Sequence, residues 1–231
     1  RTRHSLGIFP SGTIDLSMPI VFPTITAENP HIYREQIERV QDFATQIHID
    51  LMDGQFTSNK SVAINQVWWP DEVKADIHLM YQDPSAVIDA LIALKPRSVV
   101  LQAESTYYDG LRFTDLAKKL NDAGIECGLA LLPATTVDSV SEMLSSVQKV
   151  LIFSGNLGHQ GGSSVDLGLF EKVAQLKEVN QKLKIAWDGG INDTNAEQLL
   201  KAGIEELNVG GYIQTAQNPR LAYQTLNALL A

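Results

Sequence analysis

His48 and Asp50 lie in the run IHIDLMDG, His78 in ADIHLM and Asp188 in IAWDGG. Each belongs to a short β-type run followed by turn residues. Residues two apart on a strand point to one side, so His48 and Asp50 share a face. Two imidazoles and two carboxylates meeting at one point suit a divalent transition metal. The same carboxylates could also move protons as bases. Taken singly, each residue reads as ordinary packing or a turn. What favours a site is their recurrence at the carboxyl ends of three strands, where barrel enzymes keep their chemistry. His4, His31 and His159 have no such setting.

The elements that must position these groups alternate along the chain. Eight apolar or β-branched runs occur at 20–26, 47–52, 75–80, 98–103, 126–131, 149–154, 183–188 and 206–211. Near-continuous apolar runs of this length suit strands buried on both faces of a parallel sheet. Amphipathic stretches lie between them at 31–46, 84–95, 111–124, 138–147, 166–183, 195–203 and 218–230, with a weaker one at 62–69 ended by Pro70. In the first, Tyr33, Ile37, Val40 and Ala44 fall on one helical face. Gly124 and Gly203 stand where glycines close helices. The expected fold is therefore α/β, a (β/α)8 TIM barrel over residues 19–231 as a single domain, with residues 1–18 as an extension outside it. The extension's IFPSGTIDL could add a short strand or hairpin arm. A doubly wound sheet is the competing architecture, but TITAENP after the first run has no glycine for a dinucleotide loop.

Composition bounds the function. The chain has 231 residues, 44% hydrophobic and 19% charged, with a formal net charge of −9. No Lys/Arg run forms a basic patch, so nucleic acid is not an expected partner. No apolar stretch approaches the ~20 residues that span a bilayer, and no membrane partner is expected. The basic start of the chain lacks the continuous apolar segment of a secretory signal. The one cysteine, Cys127, sits in a buried-strand pattern, which fits packing and a reducing, cytoplasmic setting.

Three glycine-rich loops follow the last strands: Ser154 to Ser164 (SGNLGHQGGSS), Asp188 to Asn192 (DGGIN) and Val209 to Tyr212 (VGGY). Barrel enzymes often grip phosphate with the loops after strands 7 and 8. Glycines let backbone N–H groups approach an anion closely. Asp193 or Thr194 is placed to cap the helix after strand 7. The expected ligand is a small molecule carrying phosphate.

The motifs together resemble those of the ribulose-phosphate 3-epimerase family. HIDLMDGQF at 48–56, Asn59, DIHLM at 76–80, PAT at 133–135 and DGGIN at 188–192 carry the likeness, which extends over nearly all of 19–231. The resemblance implies one divalent metal, most readily zinc but also iron, manganese or cobalt, held by His48, Asp50, His78 and Asp188. It implies that Asp50 and Asp188 exchange the C3 proton of a pentulose 5-phosphate from opposite faces. Substrate contacts are then expected from Thr26, His78, Met52 and Met80, and from Gly158, Gly161, Gly162, Gly189, Gly190, Gly210 and Gly211. A homo-oligomer is also expected. The chain departs from the family pattern at Thr26, Gln102, Leu132, Phe153 and the loop 156–163, all around the sugar rather than at the metal ligands. Three other readings remain: an epimerase for a related sugar such as allulose 6-phosphate, a non-catalytic sugar-phosphate-binding barrel, and a decarboxylase or synthase using D-x-K-x-x-D. That last motif is absent around Asp50 and Asp76.

Overall fold

A computed structural model of the protein describes residues 21–105 and 110–229. The expected N-terminal extension and its possible strand lie outside the described residues. The strands are β1 (Val21–Ile25), β2 (Gln46–Met52), β3 (Lys74–Met80), β4 (Ser98–Gln102), β5 (Glu126–Leu131), β6 (Lys149–Phe153), β7 (Lys184–Asp188) and β8 (Glu206–Val209). They pair in parallel in chain order, and β1 pairs β8 to close the barrel. The helices are α1 (Pro30–Val40), α2 (Ile88–Leu94), α3 (Gly110–Asp122), α4 (Ser141–Leu144), α5 (Phe170–Val179), α6 (Ala196–Lys201), α7 (Gly211–Gln214) and α8 (Pro219–Leu229).

Alternation along the strands sorts the side chains into two populations. Ile47, Ile49 and Leu51 of β2, Ile77 and Leu79 of β3, and Cys127, Leu129 and Leu131 of β5 join the large core between sheet and helices. Val100, Ala130, Leu151 and Ala186 form a separate small cluster inside the barrel. The inward series of β2 is Gln46, His48, Asp50 and Met52, and that of β3 is Asp76, His78 and Met80. The same pleat that hides isoleucines outside thus directs the histidines and aspartates inward. Cys127 packs in the outer core, where burial pushes its thiol up to about 12, out of reach of nucleophilic use.

The helical layer is thinner than the amphipathic stretches predict. Residues 31–46 are helical only to Val40, because Gln46 already opens β2. The stretch 62–69 contains a single 3-10 turn, Ile64–Gln66. Three other stretches begin with 3-10 turns before their α segments. The last run ends as a strand at Val209 and turns into the short α7, which no periodicity marks. Neither Asp193 nor Thr194 caps α6: Asn195 occupies the N-cap, and its Oδ1 accepts from the Asn192 N–H at 2.9 Å.

Charged groups plug the amino-terminal end of the barrel interior. Lys149 Nζ lies 2.6 Å from Asp76 Oδ2 and 2.5 Å from Glu206 Oε2, and Arg97 reaches both acids. Burial alone would raise the Asp76 carboxyl, but the Lys149 and Arg97 charges outweigh it and hold it near about 2. A buried pair is costly to break because the surviving charge is stranded. Lys149→Met is therefore expected to lower unfolding free energy by about 3 kcal/mol in a urea titration while the barrel still closes. A variant as stable as the parent would show that Arg97 alone satisfies both acids.

Candidate active site

β2, β3 and β7 deliver the four singled-out side chains to one point. A ligand atom from each of His48, Asp50, His78 and Asp188 lies within 4.8 Å of every other. His48 Nε2 stands between the carboxylates, 3.4 Å from Asp50 Oδ1 and 3.5 Å from Asp188 Oδ2. His78 Nδ1 is 3.2 Å from Asp50 Oδ1, and its Nε2 is 3.0 Å from Gln102 Oε1. Thr26 Oγ1 donates to Asp50 Oδ2 at 2.7 Å.

The electrostatics of the pair are opposed. Burial works to raise Asp50, but hydrogen bonds and charge from His48 and His78 outweigh it and drive the carboxyl well below its ordinary value. Burial raises Asp188, and the Asp50 charge raises it further. Two carboxylates this close resist joint ionisation unless a cation stands between them. The donor set fits such a cation: His48 Nε2 and Asp188 Oδ2 are buried without a hydrogen-bond partner, and both face the cluster.

Above the cluster opens a cavity of about 380 Å³, with Asp50 and Asp188 in its lining. Its rim is the three glycine-rich loops. Gly158, Gly161, Gly162, Gly189, Gly190, Gly210 and Gly211 all line it, as do Thr26 and Met80. His48, His78 and Met52 are not in the lining; all three are buried beneath. Gly189 and Gly190 have φ of +112° and +74°, and a Cβ on either would fall 2.3–2.4 Å from backbone of the 154–164 loop or its continuation. The N–H groups of Gly190, Gly210 and Gly211 donate to no backbone acceptor among the described residues. No Lys or Arg occurs in 154–164, 188–194 or 209–214.

Comparison with known proteins bears on this arrangement. The model of the family described as "Ribulose-phosphate 3 epimerase family" matches residues 20–214. The chain belongs to that family. Among named relatives, ribulose-phosphate 3-epimerase of Helicobacter pylori is 32% identical over 216 residues, covering 90% of this chain and 96% of that protein. The Aquifex aeolicus ribulose-phosphate 3-epimerase is 26% identical over 221 residues, covering 92% and 97%. Among solved structures, KGPDC from Streptococcus mutans superposes with a TM-score of 0.72 at 13% identity over 93% of this chain and 98% of that one, a likeness of fold alone. This family member is an epimerase, an isomerase by class. Among the described residues, no helix is long and apolar enough to cross a membrane.

Several residues of this epimerase escape a reading by motif. Gln36 Oε1 accepts the Thr26 N–H at 2.8 Å, and its Nε2 donates to Thr26 O and to Gln160 Oε1. Gln160 Nε2 donates in turn to Thr24 O at 2.9 Å. A relay thus runs from the 154–164 loop through α1 to the threonine that holds Asp50. Asn208 pairs in register with Asp188 and lines the cavity, and its buried Oδ1 has no partner. Only Asn59, which donates to Gly158 O at 2.8 Å, was visible beforehand, through the family pattern.

Metal-depleted protein titrated with Zn²⁺ is expected to gain thermal stability that saturates near one equivalent, since a ligand bound only by the folded state stabilises it. His48→Ala and His78→Ala should lose that gain. A stability gain surviving in both variants would place the ion elsewhere.

Proposed function

We propose that the protein inverts C3 of a ketose phosphate, interconverting D-ribulose 5-phosphate and D-xylulose 5-phosphate. The observation that carries this is the pair of carboxylates, Asp50 and Asp188, sharing one cavity floor with His48 between them. Inversion needs a proton removed on one face and delivered on the other. Asp50 comes from β2 and Asp188 from β7, three strands apart around the closed barrel, which suits approach from two sides. One carboxylate takes the C3 proton to leave an enediolate; the other protonates C3 from the opposite face. For the reverse reaction the roles exchange.

His48, Asp50, His78 and Asp188 would hold a divalent metal ion. When bound, it would supply stabilisation of the negative charge that develops on the substrate oxygens. The remaining duties fall to the chain. Thr26 fixes one Asp50 oxygen through its hydroxyl. Gly190, Gly210 and Gly211 offer unclaimed N–H groups to the phosphate at the far end of the cavity. With no cation in those loops, the anion relies on backbone donors. That anchoring keeps C3 between the two carboxylates.

Ribulose 5-phosphate deuterated at C3 should lose its label to water in the presence of metal-loaded protein and should yield xylulose 5-phosphate. Asp50→Asn and Asp188→Asn should each slow epimerisation at least about 100-fold. Allulose 6-phosphate run in parallel tests the substrate: faster turnover of the hexulose would move the assignment to that sugar. No label loss from either would leave a binding barrel.

Gly211→Asp places charge and bulk beside Gly161 Cα, 3.0 Å from the added Cβ. It should raise the Michaelis constant sharply and leave metal content unchanged. Unaltered affinity for sugar phosphate would remove the anion from these loops.

A further inference from the structure

Gln102 ends β4, 1% exposed, and is not among the residues that line the cavity. Its Oε1 lies 3.0 Å from His78 Nε2, while its own Nε2 is buried with no partner. A side chain kept only to fill space would be better served by methionine or leucine, because an orphaned buried N–H costs about 1–3 kcal/mol. The amide is therefore placed for what its oxygen does.

That oxygen can only accept. Facing it, His78 Nε2 is the ring's donor, so Nδ1, which stands 3.2 Å from Asp50 Oδ1, is the nitrogen left to give its lone pair once a cation replaces the contact with Asp50. The reversed amide would present N–H to Nε2 and force the ring proton onto Nδ1, removing the donor electrons from the cluster. The ring has no other hydrogen-bond partner among the described residues, and the His48 and Phe153 rings lie 5.8 and 5.9 Å from it, centroid to centroid. These aromatic neighbours limit where the imidazole can lie, but neither reads which nitrogen holds the proton.

We infer that Gln102 is a positioning residue: its side-chain oxygen selects the His78 tautomer and ring orientation that present Nδ1 to a divalent cation. This rests on the metal-dependent reading above. Outer partners of metal-ligating histidines act in this way, and their loss typically weakens metal binding 10–100-fold.

The test uses metal-depleted full-length protein titrated with Co²⁺, followed by visible absorption, and Zn²⁺-loaded protein examined by long-range ¹H–¹⁵N correlation of the histidine rings. In the parent, His78 should show its proton on Nε2 with slow solvent exchange. Gln102→Met, similar in size and without an acceptor, should bind Co²⁺ 10–100-fold more weakly and lose the exchange protection. Gln102→Glu restores an acceptor and should bind within a few-fold of the parent. A space-filling role would predict the opposite ranking, with methionine harmless and the buried carboxylate harmful. A Zn²⁺-loaded parent protonated on Nδ1, or a Gln102→Met protein with parental affinity, would overturn the inference and leave the proposed reaction standing. A parent that binds no divalent ion would bring down the metal-dependent reading itself.

Discussion

Two carboxylates share a buried site at the end of the barrel, and this juxtaposition sets what the surrounding structure must do. Left alone, the negative charges of Asp50 and Asp188 oppose each other in a medium that screens poorly. The groups nearest them are all answers to that problem. His48 Nε2 stands between them, His78 faces Asp50, and the Thr26 hydroxyl takes the outer Asp50 oxygen. Two of these partners are in turn held from further out, Thr26 by Gln36 and His78 by Gln102. The barrel makes this possible because the ends of β2, β3 and β7 meet on one small floor.

The opposite end of the same interior solves a similar problem by different means. There the acids Asp76 and Glu206 are neutralised by Lys149 and Arg97 from within the chain. A lysine closes that end permanently. At the carboxyl end, among the described residues, the basic groups facing the acids are imidazoles, which can yield their lone pairs to an ion. The contrast between a fixed counter-charge and exchangeable ligands separates the structural end of the barrel from the chemical one.

Strands were legible because parallel strands covered on both faces read as unbroken apolar runs, and all eight lie within a residue or two of where those runs fall. Helices were less so. An amphipathic pattern continues through the connection after Val40 and through 3-10 turns, so pattern length overstates helix length. α7 has four residues, too few to display a period. The four metal-ligand candidates could be found because each sits in a short motif ending a strand. Gln36 and Asn208 could not, since their meaning lies in a partner 10 residues away or across a sheet register; Gln102 showed only as a departure from the family pattern, not as a partner of His78 24 residues away. The buried Lys149 and Glu206 carry no local mark either; only closure of the barrel makes them neighbours.

Gly189 and Gly190 press so closely on the 154–164 loop and its continuation that a single methyl would meet backbone atoms. Those two connections are consequently one mechanical part made from two separate lengths of sequence. Inheritance must treat them so: an insertion or side chain gained in one is tolerated only with a matching change in the other. The 156–163 segment, which departs from the family pattern, is thus not a free variable, and its shape is tied to that of DGGIN. Anyone recombining this barrel with a relative to alter its sugar preference should exchange both lengths together, since a chimera carrying one alone would inherit a collision.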